Sequence, residues 1–435
     1  MTSKNNKSSF PGSKSSLVGL LSKKEITLKA REVDFEKQAN SKIKAHSLLL
    51  SFFMMLGDSD TSYSGWATFL TKVISKTVSK QAIFKRMNAA WVKLVKLLLI
   101  QTIEKCVSRQ TVEKVAGPFK NIYVQDSTSF FLSEILRYIF PGSVSKGKQK
   151  AIAKINAVIN ISTGVCCHFG ITGFTTNEQS LAGSITDIAQ AGDLVIRDMG
   201  YFVLDAFRKM QLNNIFYISR LKYGVHLFKG KKKLDLSKLL KNKSKVDMQV
   251  LCGAKERLSV RLVAVRLSPE KASERTRKAK KDRDRRLNHT KEYYASLHYY
   301  IFITNVECDK CNTQQIAELY RTRWRIEILF KSWKSGFKIE KLMPQAINRT
   351  ERIESIIYMF LLYIAWFEQK ILAPLRFENI SILKLVKEVV RDAYHYLTNG
   401  LSNKDIRGII YRCKYETRDR VNDRERLNNL IASFG

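Results

Sequence analysis

The sequence lacks a hydrophobic run long enough to cross a membrane. Its longest apolar runs, residues 48–56 and 356–367, are shorter than the roughly 20 residues that a spanning helix needs. We therefore predict that both are buried helices of a folded core and expect no membrane association through them. The N-terminal residues are basic and polar, and no apolar segment with a small-residue cleavage site follows them, so no secretory signal is expected.

Cysteines are also scarce. Seven cysteines in 435 residues do not form a disulfide scaffold, which indicates a reducing compartment. Cys308 and Cys311 form the only CxxC pair, and a zinc site would need a second pair at ligand spacing. Neither Cys106 nor Cys413 has a histidine at that spacing, so we expect ordinary thiols at Cys308 and Cys311.

Acidic residues are few relative to basic ones. The chain has 39 Asp and Glu against 76 Lys and Arg, which gives a formal net charge of +37. So much like charge repels itself, but it favours the binding of a polyanion. DNA or RNA is therefore the leading predicted partner, and an anionic membrane surface is the alternative. A hydrophobic content of 45% is sufficient for buried cores, and the length predicts two to four domains.

Apolar periodicity divides the chain into helical ends and a strand-rich middle. Six segments follow from this pattern: a flexible basic tail (1–20), a helical region (21–116), a first α/β part (117–221), a β-rich insertion with a basic arm (222–298), a second α/β part (299–370) and a helical C-terminal region (371–435). The arm is a strongly cationic run. It is predicted to be either a solvated helix or a surface that faces nucleic acid.

The segment TVSKQAIFKRM within the first helical region has the pattern of a helix-turn-helix. Ser79 is a predicted N-cap, and the helix after it would carry Gln81, Lys85 and Arg86 on its outer face. The alternative is a basic amphipathic helix within a bundle. The high positive charge of the chain favours DNA contact by these three residues.

Three carboxylates are candidates for a metal site. Asp126 is predicted to end one strand, Asp198 to end another, and Glu327 to lie on a helix. Acids at strand ends lie at the edge of a sheet, where ligands of open α/β folds bind. Two Asp and one Glu could hold two divalent ions there, and oxygen ligands suit Mg²⁺ or Mn²⁺ rather than zinc. Each acid alone has an ordinary explanation as a turn, cap or solvated residue.

The helix that carries Glu327 combines one acid with cations and a phenol. If the segment is a single α-helix, Tyr320, Arg323, Glu327 and Lys334 fall on one stripe roughly 60° wide, beside an apolar stripe. This pattern is suited to holding phosphate and a metal ion at the edge of a core. The ordinary alternative for Arg323 is a salt bridge to Glu327, four residues later.

These residues together resemble the DDE transposases of bacterial insertion sequences, and in particular the insertion-sequence-four family. The signature of that family, Y-x2-R-x3-E-x6-K, is matched at Tyr320, Arg323, Glu327 and Lys334. The segments VQDST and IRDMGYF supply the contexts of the two aspartates, and a long β-rich insertion separates the second aspartate from the glutamate. The resemblance covers about residues 20–370.

The resemblance implies a mixed α/β fold with an RNase H-like core, formed by 117–221 and 299–370 and interrupted by the insertion. It implies that Asp126, Asp198 and Glu327 coordinate two Mg²⁺ (or Mn²⁺) ions, while the other three signature side chains hold phosphates. The implied reaction is cut-and-paste transposition, in which a nick at the element's end frees a 3′-OH for hairpin formation and later strand transfer.

The resemblance also implies the partners of the protein. They are double-stranded DNA, as terminal inverted repeats and target, and a second copy of the chain that pairs the two ends. Residues 371–435 are a candidate dimer surface, and the implied location is the bacterial cytoplasm, at the nucleoid. Two alternative functions are that of an RNase H-like structure-specific nuclease, which cuts DNA without joining it, and that of a DNA-binding derivative that has lost catalysis.

The chain departs from this family in one respect. Relatives stack a flipped base on a tryptophan in the insertion, but none of the five tryptophans of this chain lies there. Tyr299 or Tyr300 is the predicted substitute, because any aromatic face can accept a base.

Overall fold

The computed structural model describes residues 21–38, 41–58, 60–108, 117–145, 147–281, 290–342, 350–375, 378–415, 429–430 and 433–434. The expected flexible tail, residues 282–289 of the basic arm and most of the segment after residue 415 lie outside the described residues.

The described residues form α-helices at both ends of the chain and between strands. In chain order they are α1 (Lys23–Glu32), α2 (Ala45–Met55), α3 (Tyr63–Ile74), α4 (Lys80–Arg86), α5 (Ala89–Ser108), α6 (Leu204–Leu212), α7 (Leu236–Leu240), α8 (Pro269–Lys280), α9 (Lys291–Ser296), α10 (Thr313–Arg321), α11 (Trp324–Lys331), α12 (Thr350–Trp366), α13 (Ile382–Arg391), α14 (Ala393–Asn399) and α15 (Asn403–Cys413).

The middle of the chain supplies the strands of one sheet. They are β1 (Ile122–Leu132), β2 (Pro141–Ser145), β3 (Lys148–Asn160), β4 (Val165–Gly173), β5 (Leu194–Arg197), β6 (Phe216–Arg220), β7 (Leu227–Lys229), β8 (Lys232–Lys233), β9 (Lys245–Cys252), β10 (Leu258–Arg266) and β11 (Tyr299–Thr304).

The N-terminal helices α1, α3 and α4 begin at capping residues. Ser22 forms a capping box with Glu25, and Ser62 accepts a hydrogen bond from the backbone of Gly65. The predicted N-cap Ser79 is confirmed, because its side chain accepts from the N–H of Ala82. These helices share one hydrophobic core with the sheet and with α12, which packs against α5 and α2.

The strands nearest the site form an RNase H-like arrangement, as expected. β4 pairs with β3, β3 pairs antiparallel with β1, and β1, β5 and β6 are mutually parallel. Helix α6 provides the crossover between β5 and β6, as parallel strands require. The mixed α/β fold class is therefore confirmed.

The predicted β-rich insertion extends this sheet instead of forming a separate layer. β6 pairs with β11, and β11 is followed across the sheet by β10, β9, β7 and β8. Arg261 on β10 makes a bidentate pair with Asp247 on β9, at 2.7 and 2.6 Å, and also donates to the carbonyl of Cys311. Thr313 at the start of α10 donates to the same aspartate. The insertion thus fixes the start of the helix that leads to the signature residues.

Helix α12 continues through a π-helical turn, Phe367–Leu372. The helical stretch Thr350–Leu375 has 26 residues and is long and apolar enough to span a membrane by length and composition. The expectation from run length was therefore too simple. However, 78% of its apolar window is buried inside the protein, as in a core helix. The predicted burial of this segment is confirmed.

Candidate active site

The two aspartates lie side by side at the point where β5 ends. Gln125 on β1 pairs with Arg197 on β5, so Asp126 and Asp198 are the next residue on each of two parallel strands. Asp198 directly follows its strand, as predicted. The prediction that Asp126 ends its strand is wrong, because β3 continues to pair with β1 as far as Leu132. At Asp126 the pairing of β1 with β5 has ended, whereas its pairing with β3 continues.

The signature segment is not a single α-helix. It breaks between α10 and α11, where the N–H of Arg323 bonds to the carbonyl of Tyr320, and that of Ile326 to Arg323, both at 3.1 Å and three residues back. Asn312 and Gln315 form the predicted capping box at its start. The apolar stripe is confirmed in full, since each of its members is buried: Leu319, Ile326, Phe330, Trp333 and Phe337.

Despite the break, two signature residues each contact an aspartate, and one of them also contacts Glu327. The hydroxyl of Tyr320 donates to Oδ1 of Asp198 at 3.1 Å, and Nη1 of Arg323 donates to Oδ2 of Asp126 at 2.9 Å. Nη2 of Arg323 also donates to Oε1 of Glu327. The salt bridge to Glu327, which was the ordinary alternative expected for Arg323, is thus present. Arg323 contacts both Asp126 and Glu327, although these two acids are 201 positions apart in the sequence.

Burial and charge act against each other in this cluster. Burial raises the pKa of Asp126 to about 6, while Arg323 and the Ser127 N–H lower it and the charges of Asp198 and Glu178 raise it. Burial would lower the pKa of Arg323, but Tyr320 and the surrounding acids bring it above its usual value. Burial likewise raises the pKa of Tyr320, so its hydroxyl keeps the proton that it donates. Arg323 is held as a cation between carboxylates.

The donor atoms suit a hard divalent cation, but their arrangement requires one movement. Among the described residues, no group of three His, Cys, Asp or Glu side chains is arranged to hold a metal ion. Arg323 contacts both Asp126 and Glu327 and keeps their charges compensated. Their side chains remain 18% and 38% exposed, so solvent ions can reach them. Oxygen donors fit Mg²⁺ or Mn²⁺ once Arg323 turns away from one acid.

The remaining signature residue is Lys334. It is exposed on the π-helical turn Ser332–Gly336, which extends α11. Trp324, which sequence reasoning passed over, is 54% exposed directly after Arg323. The sequence signal for an exposed Trp324 was its position, because it follows the signature arginine and does not belong to the buried apolar stripe.

The two tyrosines predicted to stack a base have different surroundings. Tyr299 is buried, and its hydroxyl donates toward the carbonyls of Leu240 and Lys243 at 2.7 and 2.8 Å. This placement argues against a stacking role for Tyr299. Tyr300 is partly buried and stacks on Phe302 with a ring distance of 6.0 Å. Its role stays a prediction.

The predicted DNA-facing residues of α4 are divided by the structure. Gln81 and Lys85 are exposed. The prediction that Arg86 faces outward is wrong, because its guanidinium donates to the carbonyls of Phe35 and Ile43 and lies over the Phe35 ring at 4.1 Å. These carbonyls belong to the loop between α1 and α2, and the Arg86 guanidinium supplies their hydrogen-bond donors.

Glu178 is an additional acid near Asp126 that sequence reasoning missed. Its carboxylate accepts a hydrogen bond from Oγ of Ser127, and its Oε1 lies 3.9 Å from Nζ of Lys154. It follows the N-cap Asn177 and begins a 3₁₀ segment, Glu178–Asp187. The sequence offered no signal for it, because that segment has neither a strand nor an α-helix period.

Residues 117–362 match the protein family described as Transposase DDE domain. The transposase of insertion sequence IS231F from Bacillus thuringiensis subsp. israelensis is 28% identical over 313 residues, which are 66% of this chain and 65% of that protein. The transposase of IS1151 from Clostridium perfringens is 26% identical over 351 residues, 75% of this chain and 74% of that protein. The chain thus spans slightly less than two thirds of the first relative.

Among solved structures, the chain is similar to the piggyBac transposase in a synaptic complex with hairpin DNA. The TM-score is 0.40 at 10% sequence identity, and the match covers 96% of this chain and 77% of that chain.

Proposed function

Because this chain belongs to the family of transposases with a DDE domain, we propose that it is the DNA transposase of a bacterial insertion sequence. It would nick the ends of the element and join them to target DNA with Asp126, Asp198 and Glu327. We also assign it to the insertion-sequence-four group by its Tyr, Arg, Glu and Lys signature. The single observation that carries the proposal is the convergence of Tyr320 and Arg323 on the two aspartates.

The three acids would hold the divalent ions of the reaction. Two Mg²⁺ or Mn²⁺ ions, when bound, supply Lewis-acid stabilisation of the attacking and leaving oxygens of a phosphodiester. The Tyr320 hydroxyl contributes by fixing the orientation of the Asp198 carboxylate. The buried apolar stripe beneath α11 contributes by holding Glu327 against β1, since α11 packs on that strand.

Arg323 would respond to the arrival of DNA. Without DNA its guanidinium neutralises Asp126 and Glu327. A guanidinium also binds two oxygens of a DNA phosphate, so Arg323 can exchange a carboxylate for the phosphate. This exchange would place the scissile phosphate beside the acids and release one of them at the same time. Lys334, exposed on the same segment, would hold a neighbouring phosphate.

The strong positive charge supports double-stranded DNA as the partner, both as terminal inverted repeats and as target. Gln81 and Lys85 on α4 are the remaining candidates for contacts in the first helical region. Two element ends must be brought together for transposition, so a homodimer is proposed, with 371–435 as its candidate surface. Action on bacterial DNA would take place in the cytoplasm, at the nucleoid.

A flipped base would need an exposed aromatic ring near the scissile phosphate. Trp324 satisfies this requirement better than the two tyrosines, because it is 54% exposed and adjacent to Arg323. Stacking on a ring is worth about 1–3 kcal/mol per base and does not depend on base identity. We therefore propose Trp324 for this role, with Tyr300 as the alternative.

The test uses purified protein and a duplex that carries the inverted repeat flanking its reading frame. We expect Mg²⁺-dependent nicking, a hairpin at the element end, and joining of a pre-nicked end to target DNA. Nicking without joining would identify a nuclease instead. End binding without any cleavage in Mg²⁺ would identify a derivative that has lost catalysis. Either result would overturn the proposed function.

A further inference from the structure

The 3₁₀ segment Glu178–Asp187 is anchored to both strands that carry the aspartates. Nε2 of Gln125, the residue before Asp126, donates to the carbonyl of Leu181 at 3.4 Å. Nη2 of Arg197, the residue before Asp198, donates to the carbonyl of Ala182 at 2.6 Å. A 3₁₀ run of ten residues is unusually long, so it depends on such tertiary anchors.

The first residue of this segment also meets the residues that follow the aspartates. The Ser127 N–H donates to Oδ1 of Asp126 at 2.8 Å, and the hydroxyl of the same serine donates to Glu178. Two hydrogen bonds in series therefore connect Glu178 with the Asp126 carboxylate. The Asp126 side chain cannot turn freely while both bonds persist.

On the other strand, Glu178 fills the space above the turn after Asp198. A Cβ placed on Gly200 would collide with Oε2 of Glu178, while the backbone of Gly200 is outside the left-handed region and tolerates a side chain. The glycine is thus needed here for the close approach of the carboxylate. Lys154 holds the loop that precedes Glu178, because its Nζ donates to the carbonyl of Thr176 at 3.0 Å.

We propose that Glu178 is a positioning residue, which sets the Asp126 carboxylate and the Asp198 turn in register for the reaction. This inference rests on the proposed function. Its basis is geometric. The residues directly before the two aspartates donate hydrogen bonds to the segment. The carboxylate of Glu178 accepts a hydrogen bond from Ser127, which follows Asp126, and closely approaches Gly200, two residues after Asp198. Because Glu178 acts through Ser127 and Gly200, it need not touch the DNA.

The experiment measures the nicking rate at saturating DNA, the affinity for the element end, and the Mg²⁺ concentration at half-maximal rate. For Glu178→Ala we expect a loss of about ten- to a hundredfold in nicking, as for removal of a hydrogen bond to a charged group. End affinity should stay within about twofold, because surface Lys and Arg carry it. The half-maximal Mg²⁺ concentration should rise, and Glu178→Asp should restore part of the rate.

Gly200→Ala provides an independent way to move the same carboxylate. The added methyl displaces only the far end of the Glu178 side chain, so we expect the same defect without loss of folding. In the double variant Glu178→Ala with Gly200→Ala the space is already empty, and the rate should equal that of Glu178→Ala alone. Additive losses would contradict the proposal.

Glu134 provides a matched control. It also begins a 3₁₀ segment, Glu134–Leu136, and it is exposed. Glu134→Ala should nick at the wild-type rate. If Glu178→Ala does so too, or if both variants lose equally, the positioning role is wrong. If the wild-type protein does not nick at all, the proposed function itself is wrong. That outcome differs from an active wild-type protein in which Glu178→Ala causes no specific loss.

Discussion

Asp126 and Glu368 are two carboxylates with raised pKa values whose surroundings differ in charge and in access to solvent. Burial raises the pKa of both, of Asp126 to about 6 and of Glu368 to about 8. Asp126 keeps 18% side-chain exposure and faces Arg323 at 2.9 Å. Glu368 is 1% exposed, accepts one N–H from Cys166 at 2.8 Å, and its Oε1 has no hydrogen-bond partner among the described residues. Contact with a cation and access to solvent are therefore the two features that support the proposed chemical role of Asp126 and that Glu368 does not share.

The largest expected difference between them concerns catalysis. Asp126→Asn should lower nicking by at least about a thousandfold, because an amide loses the charge that binds the divalent ion. Asp198→Asn and Glu327→Gln should do the same. Glu368→Gln should nick at near the wild-type rate. The measurement is single-turnover nicking of an end duplex, with gel-shift titration to verify that each variant still binds DNA. Appreciable nicking by one of the three acid variants would remove that residue from the metal site.

A second expected difference concerns Arg323. Arg323→Ala should lower nicking by about a hundredfold, since it removes a charged phosphate contact. Without DNA, however, it should increase the affinity for Mn²⁺, because Asp126 and Glu327 lose their bound cation. Mn²⁺ binding can be followed by electron paramagnetic resonance.

Arg321 is the matched control for this variant. It lies two residues away and pairs with Glu318 at 2.6 Å on an exposed surface. Its replacement by alanine should change neither nicking nor Mn²⁺ affinity, because exposed pairs contribute little. A DNA-free Mn²⁺ affinity that falls in Arg323→Ala would show that the guanidinium supports the metal site instead of occupying it.

Only some features of the fold and of the candidate site could be predicted from the sequence. The strands, the capping box at Asn312 and the apolar stripe followed from local patterns and are confirmed, whereas the expected single helix through the signature residues breaks between α10 and α11. The extent of β1 beyond Asp126 did not follow, because it depends on pairing with β3, which is distant in sequence. The inward turn of Arg86 depends on unsatisfied carbonyls of another loop. Glu178 reaches the site through a 3₁₀ segment that has no periodic signature.

A third expected difference is in stability against pH. The pKa of Glu368 is about 8 in the folded chain against 4.5 for an ordinary glutamate, so between these values only the folded state keeps the proton. The resulting stabilisation is complete below about pH 4.5 and is lost as the pH rises through about 8. Glu368→Gln cannot ionise and should therefore gain stability relative to wild type at pH 8–9, by an amount on the order of a few kcal/mol.

Denaturant unfolding at pH 6 and pH 9 measures this effect. The exposed Glu340 provides the control, because Glu340→Gln should leave the difference between the two pH values unchanged. If Glu368→Gln showed the same pH dependence as wild type, Glu368 would be ionised in the folded chain, and the contrast with Asp126 would disappear.

The smallest expected effect distinguishes Trp324, which follows Arg323, from Tyr300 on β11. Trp324→Ala should slow hairpin formation by about tenfold, as expected for the loss of one stacked base, and leave the initial nick unchanged, since nicking precedes base flipping. Tyr300→Ala should have little effect, because its ring already stacks on Phe302. Tyr411, 79% exposed on α15, serves as the control for removal of an exposed ring. Products are separated on denaturing gels, with an intact end as the substrate for the nick and a pre-nicked end as the substrate for the hairpin. If Tyr300→Ala slows hairpin formation and Trp324→Ala does not, the tyrosine inferred from the sequence holds the base, and the exposure of Trp324 has another cause.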